Sequence, residues 1–357
     1  MTLVIAEAGV NHNGNYNMAK KLVDAAHIAG ADIVKFQTFS AKNLVTKNAQ
    51  QAIYQSTNTG KTESQFEMLS RLELSYDDHR QLMAYCKKLN IEFMSTAFDS
   101  ESLSFLVNDL KVSRLKIASG ELTNAPLVLE HAKTKCELIV STGMASMLEI
   151  ENALGVIAFG YTAPGNILPS QKAFSAAYAS AEGQRALKEK VRLLQCTTEY
   201  PAPIAEVNLK AMNTLKKKFG LLSGYSDHTA GITIPIAASS LGAVIIEKHF
   251  TLDRSLKGPD HKASLEPNEL KAMINAIRDV ELALGDGIKR PTKSEIKNKE
   301  VARKSIVAIC DIEKGEIFSS NNIAVKRPGT GKSPYLYWEV LGTKATRDLK
   351  TGELLDE

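Results

Sequence analysis

The chain has 357 residues, of which 44% are hydrophobic and 24% are charged, and these are the fractions of an ordinary globular protein. They exclude a disordered, collagen-like or disulfide-scaffold chain, and the length predicts two domains or one large domain with an appendage. Lysine and arginine number 44 against 40 aspartates and glutamates. Because this small excess is spread along the chain, it does not indicate nucleic-acid binding.

The cysteines and the apolar stretches indicate where the protein works. Cys86, Cys136, Cys196 and Cys310 form no CxxC or zinc-binding pattern, so a reducing compartment is expected. Those at 136 and 196 lie in apolar runs and are expected to be small buried hydrophobes. The N-terminal MTLVIAEAGV lacks the basic region of a signal peptide, and the apolar stretch at 234–246 is too short to span a bilayer. A soluble cytoplasmic protein is predicted.

Eight short apolar runs rich in β-branched residues recur along the chain, separated by segments with helical periodicity. Alternation of this kind indicates βα units and a parallel sheet. The predicted strands are LVIAEAG (3–9), ADIVKFQTF (31–39), IEFMSTAF (91–98), RLKIAS (114–119), CELIVSTG (136–143), VRLLQCTT (191–198), GLLSGYSDHT (220–229) and AVIIEKHFT (243–251). Eight such units predict a (β/α)8 barrel over residues 1–285. A doubly wound sheet is the alternative, but the chain lacks its GxGxxG turn.

Three further segments interrupt or follow this alternation. Residues 160–190 mix proline and glycine turns with a predicted helix at 182–190, and they are expected to form a surface insertion that could alter the site near Tyr200. Residues 286–302 are rich in glycine, lysine and glutamate, which predicts a linker. Residues 303–357 contain short apolar runs separated by glycine turns and predict a small, mostly β second domain.

Polar side chains stand at the end of nearly every predicted strand. The active site of a (β/α)8 barrel lies at the C-terminal ends of its strands. Lys35 and Lys116 lie inside apolar strands, where an unpaired ammonium group is costly, so an anionic partner is expected. The polar residues at this rim are Glu7, Lys35, Gln37, Ser95, Thr96, Lys116, Ser119, Ser141, Thr142, Thr197, Thr198, Ser226, Asp227, His228, Glu247 and His249. A single Ser or Thr could be a solvated turn residue, but together they predict a site for a phosphorylated, carboxylated ligand.

His228 and His249 end the seventh and eighth predicted strands, which the barrel places side by side. Two neutral imidazoles suit a divalent transition metal and leave positions open for water and substrate. On position alone, two structural histidines are an equal alternative. His27, His79 and His131 lie in helical segments and are expected at the surface.

The residues of the rim stand in sequence blocks that resemble the sialic acid synthase family, the bacterial N-acetylneuraminate and N,N'-diacetyllegionaminate synthases. The blocks follow one another along almost the whole chain: IAEAGVNHNG (5–14), VKFQTF (34–39), STAFD (95–99), KIASGEL (116–122), STGMA (141–145), CTTEYPAP (196–203), GYSDHT (224–229), EKHFTLD (247–253), GPDHKASLEP (258–267) and VKRPGTG (325–331). The resemblance implies a TIM barrel joined to an antifreeze-like β domain, also called an SAF domain. It implies condensation of phosphoenolpyruvate (PEP) with an N-acetylated amino sugar, releasing phosphate by C–O cleavage.

The resemblance also implies a role for each matching residue. Glu7, Lys116 and Asp260 would be catalytic, with Glu7 kept ionised by two nearby lysines. His228 and His249 would hold a divalent metal, Mn2+ before Mg2+ or Co2+, that binds the sugar aldehyde. The PEP-binding residues would be Lys35, Thr96, Lys116, Ser119, Ser141 and Ser226, and the sugar-side residues would be Gln37, Glu121, Tyr200 and Asp260. Of the sugar-side residues, Glu121, Tyr200 and Asp260 have structural alternatives as a helix cap, a packing residue and a turn residue.

Arg327, in the KRPG turn of the second domain, matches an arginine that family dimers insert into the neighbouring subunit's site. Its expected partner there is the N-acetyl group of the sugar. The resemblance therefore implies a domain-swapped homodimer, with no nucleic-acid or membrane partner.

Other functions remain compatible with the sequence. A 3-deoxy-heptulosonate or octulosonate phosphate synthase would use similar PEP chemistry on a phosphorylated sugar, but would not need the C-terminal domain. A non-catalytic glycan-binding protein could use the antifreeze-like module, but it would have no reason to bury Lys35 and Lys116. Within the family, N-acetylmannosamine is the expected acceptor, and 2,4-diacetamido-2,4,6-trideoxymannose, used by diacetyllegionaminate synthases, is the alternative.

Overall fold

The computed structural model describes residues 1–60 and 63–356. Its contacts divide the chain into two compact units, Met1–Gly285 and Asp286–Glu357. The first unit contains a closed barrel of eight strands in chain order, and each pair of neighbouring strands is parallel. The predicted (β/α)8 barrel is therefore confirmed.

Each strand of the barrel lies within one of the eight predicted runs. The strands are β1 (Leu3–Gly9), β2 (Ile33–Thr38), β3 (Glu92–Ala97), β4 (Arg114–Ile117), β5 (Glu137–Ser141), β6 (Val191–Cys196), β7 (Leu222–Asp227) and β8 (Ile245–His249). The helices of this unit are α1 (Tyr16–Ala29), α2 (Ala41–Leu44), α3 (Ile53–Thr59), α4 (Gln65–Ser70), α5 (Tyr76–Leu89), α6 (Ser100–Ser104), α7 (Ala125–Lys133), α8 (Met147–Thr162), α9 (Gln171–Ala179), α10 (Ala181–Lys190), α11 (Lys210–Phe219), α12 (Thr233–Ser240) and α13 (Pro267–Leu284).

The barrel interior changes from apolar to polar toward the C-terminal ends of the strands. Successive side chains of a strand point to opposite faces, so residues two apart share the inner face. One inward apolar layer consists of Ile5, Ile33, Met94, Ile139, Leu194 and Ile245. Two residues further along the same strands stand Glu7, Lys35, Thr96, Ser141, Cys196 and Glu247. The fold therefore places a polar layer at the rim, directly next to a packed apolar one.

A long connection between β2 and α5 also reaches the rim. It contains α2, α3 and α4, and its apolar residues form a cluster of their own with Val10, Phe39 and Phe98 from the first three strand ends. Asn58 Nδ2 donates a hydrogen bond of 2.7 Å to the carbonyl oxygen of Pro259. This bond joins the connection to the loop that follows β8.

The insertion at residues 160–190 lies away from the rim. Its predicted helix is confirmed as α10, and α9, which the sequence analysis did not predict, precedes it. Phe174 of α9 packs edge-on against Phe159 of α8, with ring centroids 5.3 Å apart. Because the segment joins α8 to the start of β6, it belongs to the N-terminal ends of the strands. The expectation that it could alter the site near Tyr200 is therefore wrong.

Two helix histidines are buried although the sequence analysis expected them at the surface. His79 is 0% exposed and His131 is 1% exposed, whereas His27 is exposed as expected. His79 hydrogen-bonds the hydroxyl of Thr38 at 3.0 Å and the carbonyl oxygen of Ser75 at 2.9 Å. His131 Nδ1 bonds the carbonyl oxygen of Leu127 at 2.8 Å. These partners offset the cost of burying an imidazole, and helical periodicity alone does not reveal them.

The second unit has its own small core. α14 (Lys293–Ala302), which buries no side chain, precedes the antiparallel strands β9 (Ser305–Ala308) and β10 (Ile323–Lys326). α15 (Tyr337–Val340) follows them. The apolar core of the unit consists of Ile306, Ala308, Ile312, Phe318, Ile323, Val340, Ala345, Leu349 and Leu355. The prediction of a small, mostly β appendage is confirmed.

Within the described part of the chain, no helix combines the length and the apolar character needed to cross a membrane.

Candidate active site

A cavity of about 370 Å³ opens at the C-terminal ends of the barrel strands. Each strand contributes an inward side chain to its lining: Glu7, Lys35, Thr96, Lys116, Ser141, Cys196, Ser226 and Glu247. The loops after β4, β6, β7 and β8 add further polar residues, which are Ser119, Glu121, Thr198, Tyr200, His228 and Asp260. The convergence expected from the strand ends is therefore present in the structure.

Every barrel residue to which the resemblance assigned a role lines this one cavity, whereas four residues of the predicted polar rim, Ser95, Thr142, Thr197 and Asp227, do not. The residues with an assigned role are Glu7, Lys35, Gln37, Thr96, Lys116, Ser119, Glu121, Ser141, Tyr200, Ser226, His228, His249 and Asp260. Arg327 lies in the second unit, where its side chain is exposed and its Nε donates to the carbonyl oxygen of Ala302 at 3.0 Å. Its predicted contact with a partner subunit stays a prediction.

Two lysines and two glutamates form a buried charge cluster at the base of the cavity. Lys35 Nζ lies 2.9 Å from Glu7 Oε2 and 3.6 Å from Glu247 Oε2. Lys116 Nζ lies 3.6 Å from Glu247 Oε1. Ser226 donates a 2.8 Å hydrogen bond to the same Oε1 atom. Glu247 thus holds both ammonium groups, while Glu7 pairs with Lys35.

The pKa values of the two carboxylates in this cluster are shifted in opposite directions. Burial, reinforced by the neighbouring charge of Glu247, raises the pKa of Glu7 despite its ion pair with Lys35. Burial would also raise the pKa of Glu247, but Lys116, Lys35 and the Ser226 hydroxyl outweigh it and lower that pKa well below the usual range. Of the two lysines expected to keep Glu7 ionised, only Lys35 pairs with it, because Lys116 pairs with Glu247.

Hydroxyl groups accompany both lysines. Lys35 Nζ donates to Thr96 Oγ1 at 3.3 Å, and Lys116 Nζ donates to Ser141 Oγ at 2.6 Å. Ser119 Oγ accepts a 3.0 Å hydrogen bond from the amide of Gly143. A Cβ added at Gly143 would stand only 2.2 Å from Thr198 Oγ1, so glycine permits this close approach. Ammonium, hydroxyl and amide groups at one end of a cavity suit the oxygen atoms of a carboxylate or phosphate.

The histidine pair lies at the β7 and β8 side of the cavity. The ring centroids of His228 and His249 are 5.4 Å apart, and the Tyr200 ring stands 4.1 Å and 5.6 Å from them. His228 Nδ1 bonds the carbonyl oxygen of Thr197 at 2.7 Å, which leaves its Nε2 available. Asp260 Oδ2 is 3.9 Å from His249 Nδ1. No described residue hydrogen-bonds that buried Nδ1 atom.

These donors fit a divalent transition metal with an incomplete protein shell. Imidazole nitrogens suit such ions, and the buried Nδ1 of His249 hydrogen-bonds no described residue. Among the described residues, no three His, Cys, Asp or Glu side chains converge to form a complete binding group. Water and substrate oxygen atoms would therefore supply the remaining ligands.

A buried ion pair behind the histidines fixes the strands that carry them. Lys248, between Glu247 and His249, points out of the barrel and is fully buried. Its Nζ lies 2.5 Å from Asp227 Oδ2 and also donates to the carbonyl oxygen of Thr229. These bonds connect β8 to the loop that carries His228. The sequence analysis gave Lys248 no role, although a lysine in an apolar strand was the signal it used at Lys35.

Sequence reasoning also missed the importance of two lining residues. It placed Glu247 at the rim without a role, and it expected Cys196 to be a buried core residue. Cys196 is buried, but it lines the cavity, with its Sγ 3.7 Å from His228 Nδ1. Counting two residues on from Leu194 and Ile245 along their strands would have placed both on the inner face.

A barrel with buried lysines, carboxylates and paired histidines at its rim has the architecture of an enzyme for small anionic substrates. Residues 22–289 match the NeuB family model, and residues 303–357 match the SAF domain. The chain belongs to the NeuB family of sialic and related nonulosonic acid synthases, which are transferases. The resemblance found in the sequence is confirmed.

Individual relatives match most or all of the chain. It is 50% identical to the N,N'-diacetyllegionaminic acid synthase of Campylobacter jejuni, covering 100% of this chain and 99% of that protein. It is 44% identical to the N,N'-diacetyllegionaminic acid synthase of Legionella pneumophila, covering 99% and 92%. A crystal structure of N-acetylneuraminic acid synthetase from Leptospira borgpetersenii matches with a TM-score of 0.66 and 31% identity, covering 83% and 90%.

Proposed function

We propose that this enzyme condenses PEP with an N-acetylated amino sugar to form a nonulosonic acid and phosphate. The observation that carries the proposal is the buried Lys35–Glu7 and Lys116–Glu247 cluster beside the His228–His249 pair in one cavity. An anionic substrate and a carbonyl substrate can meet there. The similarity to diacetyllegionaminic acid synthases favours 2,4-diacetamido-2,4,6-trideoxymannose as the acceptor, ahead of the N-acetylmannosamine expected from the sequence.

In the proposed reaction, Lys35 and Lys116 bind the negative charges of PEP, and the hydroxyls of Thr96, Ser119 and Ser141 orient its oxygen atoms. Glu247 pairs with both ammonium groups and keeps them in the cavity. Binding therefore places the enol carbon of PEP over the charge cluster before the acceptor reacts.

The C3 carbon of PEP then forms a bond to the aldehyde carbon of the open-chain sugar, and the aldehyde oxygen takes up a proton. The electron pair of the PEP double bond forms this bond and leaves C2 cationic. Glu7 stabilises that centre or accepts a proton from the water that adds to it. The bond from C2 to the bridging oxygen of the phosphate breaks, phosphate leaves with the electron pair, and the hydroxyl added at C2 gives its proton to the phosphate as C2 becomes a ketone.

A divalent metal, Mn2+ first with Mg2+ or Co2+ as alternatives, is proposed to bind His228 and His249. When bound it would supply Lewis-acid polarisation of the aldehyde. Asp260 and Tyr200 stand beside the two imidazoles, and we assign them to the sugar hydroxyls. Arg327 is proposed to reach the N-acetyl group from the second subunit of a homodimer.

The test is phosphate release by the purified protein from PEP and each sugar in turn, with Mn2+ present. Phosphate and a nine-carbon keto acid should appear in equal amounts. PEP labelled with 18O at its bridging oxygen should yield labelled phosphate, because the C–O bond breaks. No phosphate with either sugar would contradict the condensation. Product from N-acetylmannosamine alone would favour an N-acetylneuraminate synthase, like the Leptospira enzyme.

A further inference from the structure

The cavity has a second side whose chemistry differs from that of the charge cluster. We call it the apolar wall, and it consists of Val10, Leu44, Val45, Met68, Leu69 and Leu72. Val10 follows β1, and the other five belong to the connection between β2 and α5. Most of these side chains pack together in a cluster separate from the main barrel core. The proposed mechanism uses none of them.

The side chains of the apolar wall are packed in place in the structure. Val10, Met68 and Leu72 are buried, and Leu44, Val45 and Leu69 are half-buried while lining the cavity. The bond from Asn58 to the carbonyl oxygen of Pro259 fastens the connection to the loop that carries Asp260. The wall and the sugar-side residues therefore border the same space.

The orientation of the acceptor follows from where its aldehyde must react. C1 has to lie between the enol carbon of PEP and the histidine pair, so C4, C5 and C6 are the carbons farthest from the charge cluster. The side of the cavity left for them includes the apolar wall. A methyl group there gains from burial, whereas a hydroxyl group facing Val45 or Leu69 loses water without finding a partner.

We propose that the apolar wall makes this enzyme select an acceptor with a methyl group at C6 and an acetamido group at C4 over one with hydroxyl groups at both positions. The acetamido methyl packs on the wall, and Gln65, which also lines the cavity, offers an amide to the acetamido carbonyl. This inference rests on the proposed condensation and adds the structural element that distinguishes one acceptor sugar from the other.

The experiment compares kcat/KM for 2,4-diacetamido-2,4,6-trideoxymannose and for N-acetylmannosamine in the wild-type enzyme and in wall variants. Val45→Thr adds a hydroxyl at nearly constant shape, and Leu69→Asn replaces an apolar side chain by an amide. Leu69→Met keeps the wall apolar and is the matched control. PEP KM and the thermal midpoint are measured for each variant, and the half-buried position of Val45 leaves folding little affected.

The wild-type enzyme should prefer the diacetamido sugar, and the ratio of the two kcat/KM values should fall about tenfold in Leu69→Asn and by a smaller factor in Val45→Thr. Leu69→Met should keep the ratio, and PEP KM should stay constant in all variants. A wild-type preference for N-acetylmannosamine, or an unchanged ratio in both polar variants, would overturn the inference and leave the condensation standing. Phosphate release with neither sugar would overturn the condensation and the inference with it.

Discussion

Glu247 is the shared counter-ion of Lys35 and Lys116, and in the proposed reaction an incoming anion competes with it for both lysines. All three side chains are almost completely buried. Removing one partner of a buried ion pair leaves an uncompensated charge, which costs about 3–5 kcal/mol. The charge of Glu247 therefore stabilises the empty enzyme and at the same time weakens its attraction for PEP.

We expect Glu247→Gln to unfold at a lower temperature than the wild type and to regain much of that loss when inorganic phosphate is added. Glutamine still accepts the hydrogen bond from Ser226 but leaves Lys116 without a carboxylate partner and Lys35 with Glu7 alone, and phosphate can pair with Lys116. Thermal melts with and without phosphate measure the effect. Glu137→Gln, which breaks the exposed pair with Arg114, is the control. An equal phosphate shift in both variants would contradict this account.

At the scale of elements, the strands could be predicted because their signal is local. A β-branched run and its turn residues determine a strand, and the alternation along it determines which residues enter the cavity. The buried positions of His79 and His131 could not be predicted, since they depend on partners that only the tertiary fold brings near. The apolar wall was missed for a related reason. The β2–α5 connection has no regular hydrophobic periodicity, so its sequence does not show whether its apolar residues line a cavity or lie in a surface loop.

The pairing of β7 with β8 also depends on a buried ion pair, between Lys248 and Asp227. Lys248→Met should lower the free energy of unfolding by about 3–5 kcal/mol, because it leaves the carboxylate of Asp227 buried without its counter-ion. Urea unfolding measures the loss. The double variant Lys248→Met/Asp227→Asn should recover part of it, since no unpaired charge remains. Lys218→Met, at the exposed pair with Glu151, is the control and should change stability much less.

At the scale of the whole molecule, several buried histidines make the fold sensitive to acid. Burial lowers the pKa of His12 to about 3 and that of His261 to about 4, and it also lowers the pKa values of His79 and His131. In the unfolded chain each titrates near the ordinary value of about 6.5. Below about pH 6.5 the unfolded state binds more protons than the folded state. The contribution of these histidines to the free energy of unfolding is therefore fully present above about pH 6.5 and is lost as the pH falls toward 3.

The free energy of unfolding should therefore decrease between about pH 6.5 and pH 4, by as much as about 1.4 kcal/mol per pH unit for each of these histidines. His131 offers a test, because its Nε2 is buried and hydrogen-bonds no described residue. His131→Leu should make the pH dependence in urea unfolding less steep. His27→Leu changes an exposed helix histidine and is the matched control. A slope that His131→Leu leaves unchanged would contradict the argument.

Arg327 is proposed to act on the acceptor sugar in a homodimer. Arg327 is exposed in the second unit, and a guanidinium bonded to the acetamido carbonyl of the sugar would affect acceptor binding and leave PEP binding unchanged. Arg327→Ala should raise the KM of the sugar about tenfold or more and change the KM of PEP little. Lys326→Ala removes a neighbouring exposed cation and is the control; equal effects on both KM values would contradict the assignment.

Mixing two impaired chains decides whether that arginine acts on its own chain or on its partner. A heterodimer of Arg327→Ala with His228→Ala has one barrel with intact histidines, and this barrel belongs to the chain that lacks the arginine. If the partner supplies Arg327, this barrel receives it from the His228→Ala chain, and turnover near the wild-type sugar KM should return when the two are refolded together. If the arginine serves its own chain, every barrel lacks one of the two residues, and mixing should restore nothing.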